Sequence, residues 1–294
     1  MQAAEQYCQR IVQGAGSNFA AAFRFLDRPQ RRAMRALYAF CRVVDDVVDS
    51  DFDAAAKREQ IAAWRDHLAP AVWAQSDHPL LVELRESVAA FDIPMQYLRD
   101  LVDGVARDIA PAPYPDWAAL EQYCYGVAGT VGLSCLRIFR VPESETTRTA
   151  GLALANAFQL TNILRDVRSD GAIGRVYLPE SELRACGVTA AELCAASTPA
   201  ADDPRLRMLI TRGGERAEAY FADAWRGFPR TEAERLRSAL LMSDYYYAIL
   251  QRIRAHPERV WTRRVRLTTG TKLWLFLRRS FSAAAWPASP PLSN

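Results

Sequence analysis

One stretch constrains this chain more than any other: Tyr38-Ala39-Phe40-Cys41-Arg42-Val43-Val44-Asp45-Asp46-Val47-Val48-Asp49. It reads as helix, because Tyr38, Arg42, Asp45 and Asp49 recur at spacings of 4, 3 and 4 and therefore share a face. Apolar residues fill most of the other positions. A phenol, a guanidinium and two carboxylates thus lie in one row on an otherwise buried helix. Such groups are seldom buried without partners, because taking them out of water is costly. A divalent cation is a suitable partner.

A second row follows downstream. Gln159, Asn162, Asp166 and Asp170 are spaced 3, 4 and 4, with Arg165 beside them and Gly174-Arg175-Val176-Tyr177-Leu178-Pro179 after them. Asp45 and Asp49 brought bare against Asp166 and Asp170 would repel by about 4 kcal/mol per pair, taking a separation of about 4 Å and an effective dielectric of about 20. Convergence therefore calls for cations. Mg²⁺ keeps waters and takes one or two carboxylates plus substrate phosphates, and Mn²⁺ favours the same oxygen donors. Two facing Asp-x-x-x-Asp helices are suited to holding a metal diphosphate; exposed carboxylates with Arg partners are the plain structural alternative. Asp46 falls off the stripe and reads as a supporting or helix-surface group. Arg42, Arg165, Arg175 and Arg259 are candidates for phosphate oxygens, since guanidinium forks match phosphate geometry. Arg168, Arg263, Arg264 and Arg266 read as a solvated charge run.

The rest of the chain reads as helix after helix, with no repeat and no long β-branched alternation. Helices are expected at 3–13, from Ser17 or Asn18 as cap through Leu26, from the Asp27 cap with Pro29 in the first turn to about Ser50, and at 54–68, 78–91 and 94–109. Asp116 caps a long helix over 117–139; others follow at 144–167, 179–185, 189–195, 204–226 and 231–255, with a loop at 168–178 and a linker candidate at 197–204. The linker is too short to divide domains, so one all-α domain over 1–294 is expected.

Half of the 294 residues are hydrophobic, enough for a sizeable core, and the net charge of +3 gives no reason to expect nucleic acid. Six cysteines without a Cys-x-x-Cys pair read as reduced core thiols. His67, His78 and His256 lack metal-ligand spacing and are assigned to surface or capping roles. No basic segment leads into an apolar run at the N-terminus, and no apolar stretch approaches the roughly 20 residues of a membrane span. A cytoplasmic chain is expected, free or against the inner face of the membrane.

The chain resembles the squalene/phytoene synthase family, which joins two prenyl diphosphates head to head. The resemblance rests on Gly16-Ser17-Asn18-Phe19, Ala36-Leu37-Tyr38-Ala39-Phe40-Cys41-Arg42, Asp45 to Asp49, Tyr123-Cys124-Tyr125-Gly126-Val127-Ala128-Gly129-Thr130-Val131-Gly132, and Gln159 through Pro179. It spans roughly 5–265 in the expected order. Within the family the likeness is greatest to bacterial presqualene diphosphate synthases of hopanoid pathways.

The resemblance implies an all-α, isoprenoid-synthase-type helical bundle around a central cavity. It implies Mg²⁺ (or Mn²⁺) held by Asp45, Asp49, Asn162, Asp166 and Asp170. It places Arg42, Arg165 and Arg175, and more weakly Arg259, on diphosphate, with Ser17, Asn18 and Gln159 nearby; Asn18 stands where family members often carry Ser. It points Phe19, Phe23, Tyr38, Tyr125, Tyr177 and Tyr246 toward a cavity where aromatic faces steady an allylic cation. Gly126, Gly129 and Gly132 are spaced by three on one helix; tight packing and a lining for a prenyl tail both suit them, and the resemblance favours the lining. Two farnesyl diphosphates giving presqualene diphosphate is the implied reaction, with phytoene synthesis from geranylgeranyl diphosphate and dehydrosqualene synthesis as alternatives. The departing diphosphate, Tyr38 or Tyr177 would serve as base. No nicotinamide site is recognisable, so no NADPH is expected. A catalytically silent scaffold is a rival that the intact aspartates oppose.

Partners implied are prenyl diphosphates and downstream isoprenoid enzymes. The segment at about 267–294 includes Lys272-Leu273-Trp274-Leu275-Phe276-Leu277-Arg278-Arg279, which suits either a membrane interface or a last core helix.

Overall fold

Capping chemistry written into the sequence starts many of the helices. In a computed structural model, which describes residues 2–14, 19–195 and 203–281, no strand occurs among the described residues. The expected caps at Ser17 or Asn18 and the body of the linker lie outside them. Helix α1 covers Gln2–Gly14 and α2 Phe19–Ala22, with a 3₁₀ turn at Phe23–Phe25. Helix α3, Arg28–Asp49, begins at a capping box: the Asp27 carboxylate accepts from the Gln30 amide at 2.8 Å and the Gln30 side chain accepts from the Asp27 amide at 3.2 Å. Its apolar stripe of Met34, Leu37, Phe40, Val44 and Val48 is buried.

Asp53 caps α4, Ala54–His67. Helix α5, Pro70–Gln75, was not expected from sequence; Pro70 in its first turn supplies the preset backbone angle. Helices α6, Pro79–Phe91, and α7, Met95–Ala106, follow. Asp116 caps α8, Trp117–Cys124, and α9 runs over Thr130–Ile138. The expected uninterrupted helix at 117–139 is corrected here, because a π turn at Tyr125–Gly129 separates the two.

Helix α10, Glu145–Ala172, starts at a Ser144–Thr147 capping box and corrects a second expectation. The glycines of 168–178 suggest a loop from residue 168, yet the helix continues to Ala172. Gly171 is a packing glycine: a Cβ there would stand 2.2 Å from the Leu193 carbonyl oxygen. The turn proper comes at Gly174, whose φ of +76° favours glycine. Helices α11, Glu180–Cys186, α12, Ala190–Cys194, α13, Pro204–Gly227, α14, Arg237–Ala255, and α15, Thr269–Phe281, complete the bundle, with a 3₁₀ turn at Pro257–Trp261 before the last.

Helix α10 lies along α13 and touches α9, α12 and α14, so the second acidic row is carried by the most enclosed rod of the molecule. One continuous cluster of buried apolar side chains links nearly all the helices. The described cysteines are all free, as expected. His78 opens α6 without a side-chain cap bond; its ring packs against Tyr7, Trp64 and His67 instead.

Candidate active site

Helices α3 and α10 each carry their polar row from an apolar interior out to a charged mouth. Tyr38, Cys41 and Asp45 of α3, and Phe158, Gln159 and Asn162 of α10, line an elongated, mostly apolar cavity together with Phe23, Val131, Gly132, Phe139, Met242 and Tyr246. Further along each helix, Asp49 one turn on from Asp45, and Asp166 and Asp170 one and two turns on from Asn162, line an adjoining polar mouth. Helical periodicity sets this order along each helix, since residues four apart are stacked about 6 Å along the axis. Asp49 of one row and Asp166 and Asp170 of the other share the mouth.

Their electrostatics record the crowding. The Asp45 carboxyl is pushed up to about 7, first by burial and then by Asp49. The Asp170 carboxyl is pushed up to about 7 as well, first by burial and then by Asp166, with Asp108 and Asp49 adding to it. A field from Asp49 of α3 felt at Asp170 of α10 is the mark of convergence across the mouth. Both carboxyls favour a proton until a stronger positive partner arrives.

Arginines hold the other two. Arg175 reaches back from the segment after α10 to α3, donating to Asp49 Oδ1 at 2.9 Å and to the Val48 carbonyl at 3.0 Å. Asp166 is gripped twice. Arg165 donates through Nε to Oδ1 at 3.0 Å and through Nη2 to Oδ2 at 2.5 Å. Arg264 donates through Nη2 to Oδ2 at 2.9 Å, and its Nε lies 2.8 Å from Oδ1. Arg264 thus corrects the reading of it as merely solvated: its guanidinium is 52% exposed, but its fork closes on a site carboxylate. Arg263 lines the mouth and Arg168 bonds the Thr262 carbonyl at 3.1 Å. Arg42 pairs with Asp46 one turn on, at the helix surface. Lys57, which lines the mouth, donates to the Val48 carbonyl at 2.9 Å.

Asp108 is the functional candidate that sequence reasoning missed. It lines the mouth and accepts from the Tyr123 hydroxyl at 2.8 Å and the Tyr177 hydroxyl at 3.1 Å. The two rings stack at 5.2 Å between centroids. Burial pushes the Asp108 carboxyl up and pushes both phenols far up. No motif marks Asp108; the one signal was that Tyr123 and Tyr177, if buried, each need an acceptor.

Arg42, expected on diphosphate, stands outside both the cavity and the mouth, as do Gly129, Tyr125 and Arg259. Gly129, at the end of the π turn, packs against α10, where a Cβ would meet Leu152 at 3.0 Å and the Tyr125 ring at 3.2 Å. Gly126 lies against Gly104, and of the three spaced glycines Gly132 lines the cavity. The Tyr125 hydroxyl donates to Asp100 at 3.1 Å. Arg259 sits half-buried in the 3₁₀ turn before α15, and the residues of that region on the mouth are Val260, Arg263 and Arg264. Ser17 and Asn18 fall outside the described residues, and of Phe19 only the backbone is described.

The donors fit a divalent cation arriving with a diphosphate. Asn162 Oδ1 is buried with no hydrogen-bond partner, an orphaned acceptor beside the aspartates. Burial pushes the Tyr246 phenol on the same cavity up, against the pull of the Arg165 guanidinium. Among the described residues no three acidic, His or Cys side chains converge tightly enough to cage an ion alone. Pairs of carboxylates that leave coordination positions for phosphate and water are what Mg²⁺ uses.

Comparison with known proteins agrees. The squalene/phytoene synthase pattern matches residues 12–271. A presqualene diphosphate synthase of Rhodopseudomonas palustris is 36% identical over 90% of this chain and 92% of its own. A phytoene synthase of Mycobacterium tuberculosis is 36% identical over 88% of this chain and 85% of its own. Among solved structures, a squalene synthase from Alicyclobacillus acidocaldarius superposes with a TM-score of 0.75 at 27% identity, covering 86% of this chain and 94% of that one. A dehydrosqualene synthase shares the fold with a TM-score of 0.81 at 24% identity, over 95% of this chain and 96% of that one. A match running from α1 into α15, which takes in both acidic rows, makes this chain a member of the squalene/phytoene synthase family, the head-to-head prenyl transferases.

Proposed function

We propose that the protein condenses two molecules of farnesyl diphosphate to presqualene diphosphate. The observation that carries this is the junction of cavity and mouth: Asp45, Gln159 and Asn162 on the apolar cavity, and Asp49, Asp166 and Asp170 on the charged mouth one to two turns away. A diphosphate in the mouth would lay its prenyl tail in the cavity. Mg²⁺ held by Asp45 and Asp49 on one side and Asn162, Asp166 and Asp170 on the other would supply positive charge to the leaving diphosphate. Arg165, Arg175 and Arg264 now hold carboxylates, and the same forks match diphosphate oxygens, so the exchange needs only side-chain rotation.

Loss of diphosphate from one farnesyl C1 leaves an allylic cation. The C2–C3 double bond of the second molecule attacks it, and loss of one proton closes a cyclopropane, with diphosphate and a proton as by-products. Phe23, Phe158, Tyr38 and Tyr246 border the cavity and keep water out, and aromatic faces steady a cation by about 0.5–2 kcal/mol each. The Tyr177 hydroxyl already donates to Asp108, which leaves the departing diphosphate or Tyr38 to take the proton.

Phytoene synthesis from C20 substrates is the second reading, supported by the mycobacterial relative at equal identity. Product analysis by mass spectrometry with C15 and C20 diphosphates, Mg²⁺, and with or without NADPH separates them. Presqualene diphosphate from the C15 substrate in both conditions is expected. Phytoene from the C20 substrate alone, or squalene appearing with NADPH, would overturn the proposal.

A further inference from the structure

Helix α15 meets the body with one face and leaves the other bare. Leu275 is buried, Phe276 stacks on Phe25 with centroids 5.2 Å apart, and buried Arg279 pairs with buried Asp244 at 2.7 Å. On the opposite face Leu273, Trp274, Leu277 and Phe281 are 56, 59, 43 and 87% exposed. At 3.6 residues per turn these four fall within an arc of about 100°, centred away from Leu275 and Arg279. A concentrated apolar face of this kind marks contact with another surface.

Charge selects the surface. From Arg259 to the C-terminus every charged residue is basic. Arg278 borders the bare face, its guanidinium 5.1 Å from the centroid of the Trp274 ring while donating to Asp244 Oδ1 at 2.8 Å. Trp beside a long basic side chain is the pairing favoured at the headgroup level of a bilayer, where the ring is half-immersed and the cation reaches phosphate. A second copy of the chain docked through the same face would set two basic segments against each other. Among the described residues no helix is long and apolar enough to cross a membrane, so contact would be peripheral.

We propose that the Leu273–Trp274–Leu277–Phe281 face of α15 docks on an anionic lipid surface. The helix is pinned to α14, whose Ser238, Ala239 and Met242 line the apolar cavity, and to Phe25, two residues from Phe23 of the same cavity. On the catalytic reading above, docking sets the tail-binding wall toward the phase in which a prenyl product dissolves. The docking itself does not depend on that reading, and its test uses no substrate.

The test is co-sedimentation of the full chain with phosphatidylglycerol-containing vesicles and with pure phosphatidylcholine vesicles. Partition into the anionic vesicles is expected to exceed that into neutral ones by at least about tenfold and to weaken with salt. Replacing Leu273, Trp274 and Leu277 by Ser is expected to lower it by a similar factor, with the thermal melt unchanged. Met208→Ser, an exposed apolar position on α13, is expected to change nothing. Equal partition of the triple variant and the parent would overturn the proposal, as would absence of binding to anionic vesicles. So would a dimer in light scattering that the triple variant disperses. Markedly tighter binding by a chain ending at Phe281 would show that residues 282–294 cover the face, and would also overturn it.

Discussion

The fold pushes the Asp45 and Asp170 carboxyls up to about 7, whereas carboxyls of an unfolded chain titrate at about 4. The folded state therefore gains from protons that the unfolded state has released. That gain is fully present in acid below about 4 and is lost as pH rises through about 7. An Asp45→Asn/Asp170→Asn variant has no such loss. In metal-free buffer its stability advantage over the parent is expected to grow from pH 4 to pH 7 and level off above, reaching roughly a few kcal/mol. Chemical denaturation of both chains across that range measures it; a constant difference would contradict the burial argument. Arg264 makes a second test at this scale. It is half-exposed, so Arg264→Gln is expected to weaken binding of inorganic diphosphate by about three- to tenfold with little change in the thermal melt. Titration calorimetry in the presence of Mg²⁺ reads it. Spacing alone marked the four aspartates, Gln159 and Asn162, because helical period is a local property. Arg264 and Asp108 were illegible because they meet the site from distant segments. A basic run looks the same whether or not one member turns inward, and a lone aspartate carries no period.

At the scale of elements, caps and prolines made most helix starts readable, and glycines misled twice. Gly171 reads as part of a loop and Gly126 as lining for a prenyl tail, yet both serve close contact. A Cβ at Gly104 would lie 2.8 Å from the Gly126 Cα, backbone against backbone, beside the π turn that interrupts α8 and α9. Gly104→Ala is expected to destabilise by about 1–3 kcal/mol, read as a shift in denaturant midpoint at constant slope. The π turn, which packs against α7, had no signal in sequence. Helix α15 offers another test. Asp244 and Arg279 are both buried, so Asp244→Leu takes a buried carboxylate away from the Arg279 guanidinium and is expected to cost about 3–5 kcal/mol. Asp244→Leu/Arg279→Leu is expected to recover much of it. Urea denaturation of the two variants decides; equal loss in both would mean that the pair contributes by shape rather than by charge. For the C-terminal segment the sequence left membrane and core readings open, and the structure shows a helix with one docked and one bare face.

For the whole molecule, the all-α bundle was legible because the apolar period of 3.6 recurs from end to end. What the period could not give is the geometry that turns two helices into one site. Helix α10 is enclosed by α9, α13 and α14, which fixes its acidic row opposite that of α3 over a shared cavity. Function depends on that register: rotating either helix by a single residue would carry its carboxylates about 100° away from the mouth. The most direct measurement is anomalous diffraction from crystals grown with Mn²⁺ and a thio analogue of farnesyl diphosphate. Manganese peaks bridging the diphosphate to Asp45 or Asp49 on α3 and to Asp166 or Asp170 on α10, with the prenyl chain in the apolar cavity, are the predicted result. Metal and diphosphate bound away from both rows, or a prenyl chain lying outside the cavity, would contradict the account.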